Sequence, residues 1–163
     1  MSIEGKRVAK EIAKLLREKN LTLSIAESCT GGLVGDLITS IPGSSDYFIG
    51  GIVAYSNRIK KELLSVSRET LRKYGTVSRE IAAEMASGVR KLMKTDVGIS
   101  VTGIAGPTGG SDEKPVGMIV LGVDIQGKTT TNIEYYSGGR NQVKKKAGFS
   151  LLKNLKANLE AIK

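Results

Sequence analysis

Three predicted strands in this chain each break into a glycine-rich turn, and this pattern restricts the fold more than any other feature. Leu21 to Glu27 runs into Ser28-Cys29-Thr30-Gly31-Gly32. Val97 to Thr102 runs into Gly103-Ile104-Ala105-Gly106-Pro107-Thr108-Gly109-Gly110, and Lys128 to Tyr136 into Ser137-Gly138-Gly139-Arg140. Two of these turns lead straight into segments of helical periodicity, the arrangement of an open α/β sheet whose loops gather at the carboxyl ends of its strands.

The remaining segments fit that frame. Val8, Ile12, Leu15 and Leu16 are spaced for a packing helix over about 4–19, with Asn20 at its end. A second helix is expected from Gly32 to near Ile41, before Pro42-Gly43, and a second strand from Phe48 to Tyr55, where Gly50-Gly51 suggests a bulge or a close backbone approach. Asn57 to Met93 reads as helix with two interruptions, Ser67 and Ser78 being N-caps and Gly75 a stop. Val116 to Ile125 and Lys128 to Tyr136 form a hairpin turning at Gln126-Gly127. A last helix follows, with Val143, Ala147, Leu151, Leu152, Leu155 and Leu159 on one face. The expected fold is a single-domain three-layer α/β/α sandwich over residues 1–163, with a mixed, mainly parallel sheet. Aromatic residues make up 4% and Trp is absent, so its core must be aliphatic.

Histidine is absent and Cys29 is the single cysteine. That composition excludes a Ser-His-Asp triad, a Cys-His dyad and zinc sites built on histidine or several cysteines. Asp and Glu form no tight cluster in the sequence, so no metal is expected, and no cofactor. The start, Met1 to Arg7, has no apolar core of signal-peptide length behind it, and nothing approaches the roughly 20 apolar residues of a membrane span. The expected location is the cytoplasm, which suits a lone thiol. The formal charge of +9 favours an anionic partner, nucleic acid or phosphorylated metabolite. The densest basic run, Lys144-Lys145-Lys146, is read as a solvated helix face rather than a nucleic-acid stripe.

Ser28 ends a buried strand just before Gly31-Gly32, where a tight turn can present a hydroxyl; capping the next helix is an equal reading. Cys29 competes as nucleophile but lacks a histidine partner. Without histidine, a serine needs lysine, tyrosine or a carboxylate as base. Tyr55-Ser56-Asn57-Arg58-Ile59-Lys60 brings a phenol and an amine to a strand end, although spacing alone does not select Lys60 from 25 basic residues. An arginine beside a helix start, as Arg140 is, can hold a phosphate by parallel hydrogen bonds.

Taken together, Ala26-Glu27-Ser28-Cys29-Thr30-Gly31-Gly32, Pro42-Gly43-Ser44-Ser45, Tyr55-Ser56-Asn57 with Lys60, Thr102-Gly103-Ile104-Ala105-Gly106-Pro107, Lys114-Pro115-Val116-Gly117 and Ser137-Gly138-Gly139-Arg140 resemble the C-terminal domain of the CinA family. The likeness is to its stand-alone form, the nicotinamide mononucleotide deamidases, and runs from about Ile12 through the last helix. The resemblance implies a serine-lysine amidohydrolase that converts nicotinamide mononucleotide to nicotinate mononucleotide and ammonia. It implies Ser28 as nucleophile, Lys60 as base and Tyr55 as supporting hydroxyl. Thr30, Asn57, Thr102 and Gly103 would line the pocket, Gly31, Gly32 and Gly106 would offer close backbone contact, and Arg140 would bind the phosphate. Backbone N–H groups from Cys29 to Gly32 are the expected oxyanion donors. Where the family often carries Asp or Glu after Ser-Gly, Gly139 stands here. The molybdopterin-binding-like domain of full-length CinA proteins is not in this sequence, and its activity is expected to be missing too. A small-molecule nucleotide is the expected partner, with no membrane and no nucleic acid, and a homo-oligomer the expected assembly. The alternative is a catalytically silent CinA-like nucleotide-binding module.

Overall fold

The computed structural model describes residues 3–162; Met1, Ser2 and Lys163, the ends of the expected domain, lie outside the described residues. The elements are α1 (Ile3–Glu18), β1 (Leu23–Glu27), α2 (Leu33–Thr39), β2 (Phe48–Val53), α3 (Asn57–Leu64), α4 (Arg68–Tyr74), α5 (Arg79–Met93), β3 (Val97–Gly103), β4 (Met118–Ile125), β5 (Lys128–Tyr135) and α6 (Arg140–Glu160).

The strands lie in the order β2-β1-β3-β4-β5. β1 pairs parallel with β2 and β3, and β4 pairs antiparallel with β3 and β5, so only β4 opposes the common direction. The carboxyl ends of β1, β2 and β3 therefore share one edge of the sheet with the start of α6. Helices α1, α2 and α6 cover one face of the sheet, and α5 with α3 covers the other.

Local signals explain most boundaries. Asn20 is left-handed (φ 53°) and ends α1. Ser67 and Ser78 cap α4 and α5 by accepting from the amides of Thr70 and Ile81, and Gly75 stops α4. Gly50-Gly51 is both things the sequence suggested. The β1–β2 register shifts there, and a Cβ on Gly51 would meet Ile25 Cγ2 at 2.5 Å. Several boundaries move inward: β1 starts at Leu23 rather than Leu21, and α2 ends at Thr39 rather than near Ile41. β2 stops at Val53 rather than Tyr55, and β4 starts at Met118 rather than Val116, because Gly117 adopts φ 92° against the backbone of Tyr136.

Candidate active site

Side chains alternate across a strand. In β1, Leu23, Ile25 and Glu27 face the α1/α2/α6 layer, so Ser28, whose amide still donates to the Val101 carbonyl at 2.9 Å, faces α3 and α5. On that side α3 begins four residues after β2. Ser56 accepts from the Ile59 amide to cap it, and Lys60 turns inward one turn later. Lys60 is 1% exposed, and its Nζ lies 3.0 Å from Ser28 Oγ, 2.7 Å from the Ala54 carbonyl and 3.5 Å from the Tyr55 carbonyl.

These neighbours define what the amine can do. Two are carbonyl oxygens, which only accept; the third is a hydroxyl, which can also donate. A neutral amine would place its two N–H groups on the carbonyls and aim its lone pair at the Ser28 proton. No ion pair among the described residues includes Lys60. Burial without a counter-charge favours the neutral form, and it lowers the Lys60 pKa. Ser28 and Lys60 thus stand at hydrogen-bonding distance, with the amine biased toward accepting a proton.

Neighbouring residues of the turn behave differently from expectation. Ser28 does not cap α2: the helix starts after Gly32 (φ 101°) with no side-chain cap. Glu27 does that work, its buried carboxylate accepting from the amides of Gly32, Val34 and Gly35 at 3.0, 3.1 and 2.7 Å. Glu27 is a functional residue missed from sequence, although a carboxylate just ahead of a glycine turn and a helix start is a dipole-matching signal. Cys29 is buried and its thiol is pushed up to about 12, mainly by burial, so it stays protonated. The Gly31 amide donates to the Ser28 carbonyl and the Gly32 amide to Glu27, and of the four residues expected to supply oxyanion donors only Cys29 lines the cavity next to Ser28.

A cavity of about 250 Å³ opens beside the dyad. Ser28, Lys60, Tyr55, Asn57, Thr102, Gly103, Gly106 and Arg140 line it. Thr30, Gly31 and Gly32 do not: Thr30 is 1% exposed with its hydroxyl unpartnered, and Gly32 faces Val53 across a separate crevice. Thr102 donates its hydroxyl to the Thr76 carbonyl, which brings Thr76 and Val77 into the wall, and Thr108 and Gly109 add to it. None of those four was singled out from sequence, though Thr108 and Gly109 belong to the second glycine-rich turn. Arg140 stands in the first turn of α6. Its Nη1 donates to the Gly106 carbonyl and its Nη2 to the Tyr55 hydroxyl, both at 2.8 Å, tying three segments of the wall together.

The family model described as the CinA C-terminal domain matches residues 5–159. The chain belongs to the CinA family. A CinA-like protein of Kosmotoga olearia is 50% identical over 141 residues, covering 86% of this chain and 34% of that protein. The crystal structure of competence damage-inducible protein A from Klebsiella pneumoniae superposes with a TM-score of 0.94 at 31% identity, covering 98% of this chain and 99% of that one. That of competence/damage inducible protein CihA from Agrobacterium tumefaciens gives 0.92 at 36%, covering 98% and 99%. The chain spans about a third of the length of the curated relatives it matches.

Within this CinA domain the basic run of α6 is divided rather than displayed as a stripe. Lys146 donates to the Ser137 carbonyl, Lys144 is half-buried near Gly31, and Lys145 is exposed. Gly139, where the family often has an acid, has open space around its Cα, and its amide donates to Gln142 Oε1 at 2.9 Å. Among the described residues, no helix is long and apolar enough to cross a membrane, and no three His, Cys, Asp or Glu gather as a metal-binding group.

Proposed function

We propose that this CinA domain is an amidohydrolase that deamidates nicotinamide mononucleotide in the cytoplasm. One observation carries the reading: a buried amine without counter-ion stands 3.0 Å from the hydroxyl of Ser28 at the floor of a cavity. Oγ attacks the carboxamide carbon as its proton passes to Lys60 Nζ. The tetrahedral intermediate collapses when Lys60 returns that proton to the amide nitrogen, which leaves as ammonia. Water then gives a proton to Lys60 and attacks the acyl ester, and Lys60 passes that proton to Oγ as the ester bond breaks, freeing Ser28 and nicotinate mononucleotide. The developing oxyanion would take the amide of Cys29, the one expected donor residue that lines the cavity. The dyad supplies both the base and the acid, so the proposal needs no cofactor. Self-association belongs to the same reading, supported by the exposed Ile49 and Val53 on the edge strand β2, and sedimentation would check it.

The test is release of ammonia from nicotinamide mononucleotide by the purified protein, with Ser28→Ala as control. Steady release abolished by that substitution is expected. Stoichiometric binding with no ammonia would identify a silent nucleotide-binding module instead, and release unaffected by Ser28→Ala would remove the dyad from the reaction.

A further inference from the structure

The turn after β3 contains a group of backbone donors that the dyad does not use. Among the described residues, no acceptor takes the amide N–H of Ala105, Gly106, Thr108, Gly109 or Gly110. The ends of the same loop are satisfied: the Ile104 amide donates to the Met118 carbonyl at 2.9 Å, Ser111 to Lys114 at 2.8 Å and Gly117 to Ile104 at 2.7 Å. Ala105 and Gly106 are themselves buried, where an N–H normally has a partner. Four of the five residues line the cavity beside Lys60 and Arg140. Left-handed Gly106 (φ 79°) and Gly109 (φ 90°) bend the chain between them, as in the concave anion sites made by successive amides. Neither Asp nor Glu lines the cavity, and Asp112 and Glu113 of the same loop are exposed outside it.

We propose that residues 105–110, with the Thr108 hydroxyl, form the seat for a dianionic phosphomonoester, and that Arg140 stands at its flank rather than forming it alone. This inference rests on the mononucleotide reading and refines it. Arg140 has one N–H of each terminal nitrogen committed to Gly106 and Tyr55, which leaves its remaining N–H groups for the anion. The backbone amides carry no side-chain entropy into the contact and discriminate by charge and shape.

The test places a like charge in the seat. Thr108 is exposed on a loop, so Thr108→Asp should fold with an unchanged melting temperature. It should lower kcat/KM on nicotinamide mononucleotide by about 100-fold and on nicotinamide riboside by less than about twofold. Thr108→Val, which removes one hydroxyl donor, should cost about tenfold on the mononucleotide alone. Inorganic phosphate should compete with the mononucleotide in the wild type and lose that competition in Thr108→Asp. Titration calorimetry with the mononucleotide reads the seat without turnover. If no ammonia forms but Thr108→Asp still abolishes binding, the amidase reading fails and the seat stands. Equal losses on both substrates, or mononucleotide binding indifferent to Thr108→Asp, would overturn the seat whatever the fate of the amidase.

Discussion

Toward α1, α2 and α6 the sheet presents Leu23, Ile25, Val97, Ile99, Val101, Ile119, Leu121 and Val123, whereas its middle strands turn Ser24, Ala26, Gly98, Ser100 and Gly122 toward α5. The first face is an ordinary aliphatic core. On the second, small side chains let a helix backbone approach: a Cβ on Gly98 would stand 2.2 Å from the Ala86 carbonyl, and one on Gly122 2.6 Å from that of Ala82. Ser100 meets the same helix by donating to the Ala82 carbonyl at 2.6 Å. The difference explains where the cavity sits. Thr102 continues the small, polar series to the end of β3 and Ser28 carries it past the end of β1, and α3 fills the gap with Lys60. One face supplies stability by area, and the other supplies position by close contact.

The largest effect should come from breaking the position-giving face at its end. Ser28→Ala and Lys60→Met should each lower kcat by at least about a thousandfold, and the double variant should be no worse than either, because groups acting as one unit are not additive. Stability should respond in the opposite sense. Lys60 has a folded pKa below its ordinary 10.5, so at pH values between the two the unfolded chain holds more protons and stability rises with pH. The penalty of burying the charged amine is therefore full at low pH and relieved as pH climbs toward 10.5. Lys60→Met, which carries no such penalty, should melt no lower than the wild type near neutral pH, and the wild type should gain on it at alkaline pH. Denaturation followed at several pH values checks this, and a Lys60→Met protein that gains on the wild type as pH rises would contradict the burial argument. The activity should rise along a limb placed below the ordinary lysine range.

Next in size is Glu27→Ala. The carboxylate faces the aliphatic side yet holds three amides at the start of α2, so its loss leaves buried donors unpartnered and should cost about 3 kcal/mol in urea unfolding. A loss below about 1 kcal/mol would mean that water replaces the carboxylate, and that the turn carrying Ser28 is held by other contacts.

Gly98→Ala sharpens the contrast between the two faces. One added methyl would push α5 off the sheet and should cost about 2 kcal/mol, while Ile99→Val, one methyl removed from the adjacent residue on the other face, should cost about 1 kcal/mol. Equal costs would show that α5 shifts freely.

The aliphatic face was legible in the sequence because its periodicity is written in large residues. Val143, Ala147, Leu151, Leu152, Leu155 and Leu159 of α6 are all buried where spacing put them. The other face was not, since Ser24, Gly98, Ser100 and Gly122 carry no hydrophobic signal and their role exists only against α5. The site divides similarly. Glycine-rich turns at strand ends located the cavity, but the pairing of Ser28 with Lys60 joins residues 32 positions apart through a fold, and spacing alone could not select it. Thr30, Gly31 and Gly32 followed the motif yet do not line the cavity; the Glu27 carboxylate holds the turn against the start of α2.

The smallest effect should be at Cys29, next to the proposed nucleophile Ser28 and lining the same cavity. A thiol in that position invites assignment as the reacting group, and its chemistry argues otherwise. Reaction requires the thiolate, and a thiol pushed up to about 12 by burial holds almost none near neutral pH. Lys60 lowers that value, but less than burial and Glu27 raise it. The side chain is 6% exposed and belongs to the cluster packed against α6, so it acts as a small apolar filler. Cys29→Ala should leave kcat/KM within about twofold and cost about 1 kcal/mol of stability, the value of a minor packing loss. Iodoacetamide should inactivate the wild type no faster than it inactivates this variant. If Cys29→Ala were inactive while Ser28→Ala retained turnover, the nucleophile would be the thiol, and the alignment of the Lys60 lone pair on Ser28 would be a consequence of packing.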